Sequence, residues 1–167
     1  INQTYKRGGK LIIPSFAVER SQELLYIIHR LKDLKKIPQL PVYLDSPLAV
    51  KIVNIFAEFS DLYDDDTMES FINKKDNPFL FTGLHLVEST QDSKALNSIF
   101  EPCIIISASG MCEFGRIRHH LKNNIENPNN TIAIVGYQAK DTLGRRLLDG
   151  VKEVNILDRR LRVRAQI

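Results

Sequence analysis

The chain is poor in cysteine and has no long apolar run. Cys103 and Cys112 are its two cysteines among 167 residues. One lies in an apolar stretch and the other in a turn, so they build neither a disulfide framework nor a zinc site. Both read as reduced thiols of a cytoplasmic protein. No stretch approaches the roughly 20 apolar residues of a membrane span, and nothing resembles a secretory leader, so no membrane partner is expected. The histidines His29, His85, His119 and His120 are scattered, and no His-x-His-x-Asp-His, His-Glu-x-x-His or Cys-x-x-Cys spacing occurs. Adjacent His119 and His120 point about 100° apart on a helix and cannot share an ion. No metal and no cofactor is therefore expected in this chain. Gly8-Gly9-Lys10 lacks the spacing of a phosphate-binding P-loop, and Gly-x-Gly-x-x-Gly is absent. Nucleotide cofactors held in those ways are unsupported. No residue pair has the spacing of a nucleophile and its base, which argues against a small-molecule phosphate enzyme.

What is present suits one domain spanning residues 1–167, with 43% hydrophobic content for its core. The first residue is Ile1 rather than Met, and the expectation is an excised piece of a longer protein. Net charge is a mild +3, but its distribution is uneven. Acids gather at Asp61, Asp64, Asp65, Asp66 and Glu69. Bases gather late, at Arg116, Arg118, Lys122, Lys140, Arg145, Arg146, Arg159, Arg160, Arg162 and Arg164. A basic final third suits a nucleic-acid backbone. It equally suits a solvated face whose charges meet another part of the protein.

Apolar runs alternate with helical periodicity. Leu11-Ile12-Ile13 reads as a strand, and Leu24, Ile27, Ile28 and Leu31 recur at helical spacing behind it. Pro41-Val42-Tyr43-Leu44 is a second strand. Ser46 as N-cap and Pro47 at the first helical position open a helix with Leu48, Ile52, Ile55, Phe56 and Phe59 on one side. Residues 60–80 lose periodicity and turn acidic, which predicts a mobile or short-helical insertion. Strands are predicted over 84–87, 102–107 and 131–135. Helices are predicted over 92–100 (Leu96, Ile99 and Phe100 inward), 116–125 and 142–148, with one or two strands after 154. Repeated strand-then-helix units predict an α/β fold: a mainly parallel, Rossmann-like sheet flanked by helices on both faces.

In such sheets ligands bind outside the carboxyl ends of the strands. That rule lines up Ser15, Asp45 with Ser46, the segment Ser107-Ala108-Ser109-Gly110-Met111, and Tyr137 with Gln138 on one edge. Small residues let backbone approach a ligand, and helix N-termini attract anions, so the turn around Ser109 and Gly110 suits a phosphate. Many similar turns bind nothing. Arg116, nearest that turn, is the better placed phosphate ligand, because Arg118 diverges from it on the helix. Tyr137 suits stacking on a base or a core position with its hydroxyl at the rim. Asp45 fits a metal ligand, a base, a partner for an arginine from a neighbouring loop, or a lock on its own turn.

Beyond these readings, several motifs occur in an order found elsewhere. Gly8-Gly9-Lys10 through Pro14-Ser15-Phe16-Ala17-Val18-Glu19-Arg20 to Leu25 comes first, then Pro41-Val42-Tyr43-Leu44-Asp45-Ser46-Pro47. Ser107 to His120, Gly136-Tyr137-Gln138-Ala139 and Thr142-Leu143-Gly144-Arg145 follow. Together they resemble the β-CASP domain of metallo-β-lactamase-fold nucleases, nearest the RNA-cleaving branch of cleavage-and-polyadenylation endonucleases and their bacterial and archaeal relatives. Glu19 and Phe114 stand where many of those relatives carry glycine.

The resemblance implies a β-CASP domain inserted in a metallo-β-lactamase domain. The active site then lies between the two, and two zinc ions of the parent activate a water against the scissile phosphate. This chain would be the lid and part of the RNA-binding wall, with single-stranded RNA and its own lactamase domain as partners. A homodimer is left open. It carries none of the zinc-binding histidine cluster, so the fragment alone is expected to be silent. Ser109, Gly110, Arg116 and Tyr137 are the implied RNA contacts, with Ser15, Asp45, Ser46, Ser107 and Gln138 along the cleft edge. The alternative is a non-catalytic protein–protein interaction module derived from such a nuclease.

Overall fold

Ile104, Ile105 and Ile106 are wholly buried, and the sheet is assembled on both sides of them. The computed structural model describes residues 1–72 and 76–167. Its main sheet contains β1 (Leu11–Pro14), β2 (Val42–Asp45), β3 (Leu84–Leu86), β4 (Ile104–Ser107) and β5 (Thr131–Ile132). The order is β3-β2-β4-β1-β5 and every neighbouring pair is parallel. Val42 and Leu11 both sit opposite Ile104, which brings Asp45, Ser107 and Pro14 side by side at the carboxyl edge. The helices are α1 (Asn2–Lys6), α2 (Arg20–Asp33), α3 (Pro47–Glu58), α4 (Asp65–Ser70), α5 (Thr90–Ala95), α6 (Ile117–Asn124) and α7 (Leu143–Leu148). The strands β6 (Glu153–Ile156) and β7 (Arg159–Arg162) form an antiparallel hairpin.

Successive strand residues point to opposite faces, and each face has its own core. Leu11, Ile13, Val42, Leu44, Ile104 and Ile106 pack with α2 and α3. Ile12 and Ile132 pack with α6, α7 and the hairpin, while Ile105 meets Leu96 and Val87. The result is the three-layer α/β fold predicted above. No helix among the described residues is long and apolar enough to cross a membrane. Burial pushes the Cys103 thiol up to about 11 and that of Cys112 to about 12, so both stay protonated at neutral pH.

Several elements depart from the sequence reading, each for a local reason. β5 ends at Ile132 rather than at 135. Its ladder needs an N–H from β1 at Pro14, and proline has none. In α3 the stripe of Leu48, Ile55 and Phe59 faces outward, while Ala49, Val50 and Val53 face the sheet. Small and β-branched residues there let the helix axis approach closely. Phe100, expected inward, is 85% exposed, because the helix ends in a 3₁₀ turn at Leu96–Ser98 before reaching it. Over residues 60–80 the described part is short-helical and anchored. Phe71 lies against Tyr26, and Phe79 meets Phe56 and Tyr63 edge-on. Residues 73–75 of that segment lie outside the described residues.

Helix α2 opens on a strained residue. Glu19 has φ 67° and ψ −69°, and the Arg20 N–H donates to the Val18 carbonyl at 2.9 Å. That is a γ-turn conformation, costly for a residue with a Cβ. Glu19→Gly is expected to stabilise the fold by about 1 kcal/mol, raising Tm by about 2–4 °C for a domain of this size. Thermal unfolding of the two proteins side by side checks this.

Candidate functional site

At the carboxyl edge of the sheet the chain changes direction. The connection leaving β1 crosses to β2 on one side, and the connection leaving β4 crosses to β5 on the other. The loops after β1 and β4 therefore diverge and leave a crevice, the place where open α/β sheets take ligands. Phe16 and Gly110 meet in it: a Cβ on Gly110 would lie 2.9 Å from the Phe16 ring. Gly115 has φ +79°, and a Cβ there would lie 2.6 Å from the Ala108 carbonyl oxygen. Glycine is required at that turn by both tests.

Under the crevice lies a buried polar knot. Asp45, fully enclosed at the end of β2, takes Arg116 Nη1 on Oδ1 at 2.7 Å. On Oδ2 it takes Ser93 Oγ at 2.6 Å and faces His120 Nε2 at 2.5 Å. Ser107 Oγ donates to the Asp45 carbonyl at 2.8 Å. Arg116 also donates to the carbonyls of Val87 (3.2 Å) and Glu88 (2.6 Å). One guanidinium thus ties the ends of β2 and β3 to the start of α6, and one turn later His120 grips the same carboxylate. Burial pushes the Asp45 carboxyl up, but the hydrogen bonds from His120, Ser93 and Arg116 outweigh it and hold the group below its ordinary value. Of the roles the sequence left open for Asp45, the structure shows the arginine partnership. His120 Nδ1 is buried without a partner.

The other edge residues divide into a floor and a rim. Ser15, Ser46, Ser107 and Gln138 reach the edge but are buried beneath it. Ser15 accepts from Ser21 Oγ, and Ser46 accepts from the Ala49 N–H as the N-cap of α3. Gln138 Nε2 donates to the Gly110 carbonyl at 2.9 Å, fastening the loop after β5 to the loop after β4. Ser109 is half-buried. The N–H groups of Ser109 and Cys112 donate within the turn, and those of Ile117 and Arg118 donate back to Ala108 and Gly115. These four backbone donors, Ser109 among them, therefore have internal partners.

Above this floor three aromatics stand in solvent, one from each loop: Phe16 (47% exposed), Phe114 (71%) and Tyr137 (77%). Sequence reasoning found Tyr137 and missed the other two as surface groups. Ser93 and His120 were missed as partners of Asp45. Several late bases are paired: Lys122 with Asp158, Arg145 with Asp149, and Arg160 with Glu153. The basic third is thus less open than its composition suggests.

The comparisons with known proteins agree with this architecture. The Beta-Casp domain family matches residues 21–147. Over 167 residues, all of this chain and 38% of the relative, the chain is 37% identical to ribonuclease TTHA0252 of Thermus thermophilus. It is 35% identical over 154 residues to transcription termination factor FttA of Methanosarcina mazei, covering 92% of this chain and 24% of that one. It is 32% identical over 167 residues to an RNase J-like protein of Methanocaldococcus jannaschii, of which it covers 37%. The chain spans between about a quarter and two fifths of the length of these curated relatives. Its sequence, its parallel sheet and its ordered motifs place it in one family: the chain belongs to the Beta-Casp domain family.

Proposed function

We propose that this chain is the RNA-binding lid of a zinc-dependent ribonuclease of the metallo-β-lactamase fold, working in RNA processing or decay in the cytoplasm. One observation carries the reading: three exposed aromatics stand on the loops that border a cross-bonded crevice at the carboxyl edge of the sheet. Aromatic faces stack on any base, which suits single-stranded RNA bound with little sequence preference. The names of its relatives, a ribonuclease and a transcription termination factor, support the same substrate class. Ser109, Gly110, Arg116 and Tyr137 are the proposed contacts, joined by Phe16 and Phe114. Arg116 acts mainly as a positioning residue, since its guanidinium is engaged by Asp45 and two carbonyls.

The edge does not fit zinc. Asp45 and His120 Nε2 are each other's partners beneath its surface, and among the described residues no set of three metal-ligating side chains gathers there to join the remaining His120 nitrogen. The two catalytic ions of this reading belong to a lactamase domain. Residues 1–4 and 166–167 line one surface cavity of about 570 Å³.

The test is cleavage of a labelled single-stranded RNA by this chain and by the longer protein that contains it. Cleavage by the longer protein alone supports the reading; cleavage by the isolated chain refutes it. The alternative, a non-catalytic interaction module, draws on the outward Leu48, Ile55, Phe59 and Leu62 of the α3 region. It requires the longer protein to be inactive as well.

A further inference from the structure

At the opposite end of the sheet, near the end of α2, the fold gathers three groups the candidate site does not use. His29 is an almost fully enclosed histidine, its side chain 6% exposed. Its ring lies 4.9 Å from that of Phe71 and stacks at 4.8 Å on that of Phe81, so its plane is fixed. Nδ1 lies 3.4 Å from the Pro78 carbonyl oxygen, which can only accept. That contact suits Nδ1 as the ring's donor and leaves Nε2 to face the acidic side. Nε2 in turn faces Asp76 Oδ2 at 3.3 Å and Asp33 Oδ2, one helical turn along α2, at 3.7 Å. Two carboxylates facing Nε2 call for a positive charge between the three groups, which a proton on that nitrogen or a metal ion can supply.

We propose that His29, Asp33 and Asp76 form a binding site for a divalent transition-metal ion of the zinc and cobalt class, separate from any catalytic zinc. One imidazole with two carboxylates is a ligand set that suits such ions, and an open position would remain for water. The donor atoms already lie within 4.8 Å of one another. Ligands about 2.1 Å from a tetrahedral ion stand roughly 3.4 Å apart, so the histidine-to-aspartate spacings need little change. The remaining closure falls on the two carboxylates, which are 58% and 44% exposed and free to rotate. The Pro78 carbonyl is the outer partner that orients a metal-bound histidine. Lys32 shares this cavity of about 200 Å³, but its ammonium is turned to the Thr82 carbonyl at 3.2 Å and sits over the Phe81 ring. Its nearby charge limits affinity to a moderate level.

Such an ion would clip the end of α2 to the segment that leads into the edge strand β3. Spacing along the sequence gave no sign of it, because Asp76 reaches His29 only through the fold.

The experiment titrates Co²⁺, then Zn²⁺, into this 167-residue chain after chelator treatment, reading cobalt d–d absorption, calorimetric stoichiometry and Tm. The proposal expects one ion per chain, a rise in Tm with added metal, and at least about tenfold weaker binding in Asp33→Asn and in Asp76→Asn. Both carboxylates are at the surface, so the metal-free variants should melt as the parent does. His29 imidazole nitrogen resonances should shift on addition of Zn²⁺. Absence of stoichiometric binding, or binding unchanged in both asparagine variants, overturns it.

Discussion

Asp45→Ala is expected to cost about 3–5 kcal/mol, the usual effect of removing one member of a buried ion pair, a large share of the roughly 5–15 kcal/mol that holds a domain folded. The reason lies in what remains. Arg116 and His120 would keep their positions around a cavity with no carboxylate, and the Ser93 hydroxyl would lose its acceptor. Each is then a desolvated polar group without its partner. Asp45→Asn keeps the shape and loses the charge, so its cost should be smaller but still large. The two variants also differ from wild type in their response to acid. The folded value of the Asp45 carboxyl lies below its unfolded value, so the native state binds fewer protons there. Its contribution is complete above the unfolded carboxyl value, near pH 4, and is lost as the pH falls through the lower folded value. Urea midpoints measured from neutral pH down to strongly acidic pH should fall less steeply in Asp45→Asn than in wild type. Parallel curves would mean that Asp45 carries no linkage.

The second large effect concerns binding. Phe114→Ala combined with Tyr137→Ala should weaken single-stranded RNA binding by about 30-fold or more, since each base stacked on an aromatic contributes about 1–3 kcal/mol. Both side chains are mostly in solvent, so Tm should stay within about 1 °C of wild type. That separation matters, because a variant that loses binding by loosening the crevice would also melt earlier. Fluorescence anisotropy with a labelled oligonucleotide, repeated across salt concentrations, reads the loss. The salt dependence itself should persist in the variant, because stacking groups are removed and phosphate-facing charges are not. Unchanged affinity in the double variant would show that the rim does not hold bases.

Much of this was legible in the sequence, and the exceptions have physical causes. Strand and helix order followed from Ile104-Ile105-Ile106 and similar apolar runs, and the start of α3 followed from Ser46 and Pro47. Gathering the post-strand residues on one edge required only the parallel-sheet rule. The knot was not legible, because Asp45 meets Arg116 and His120 across 71 and 75 residues. Nothing local announces a register that aligns Asp45 with Ser107. Orientation failed where a helix is apolar on most sides: in α3 the larger residues turned outward and the smaller ones met the sheet. The rim aromatics were hidden for a related reason. Phe16 and Phe114 look like core residues in sequence, and only their place on the loops at the carboxyl edge exposes them.

If this chain works as proposed, single-stranded RNA lies across the carboxyl edge of the sheet. The most direct measurement is a backbone amide NMR titration of this chain with a short single-stranded RNA at low salt. The expected shifts are concentrated in residues 15–19, 107–116 and 136–139, with the hairpin and the outer face of α3 unmoved. Shifts confined to α3 or the hairpin, or none at saturating RNA, would contradict that placement.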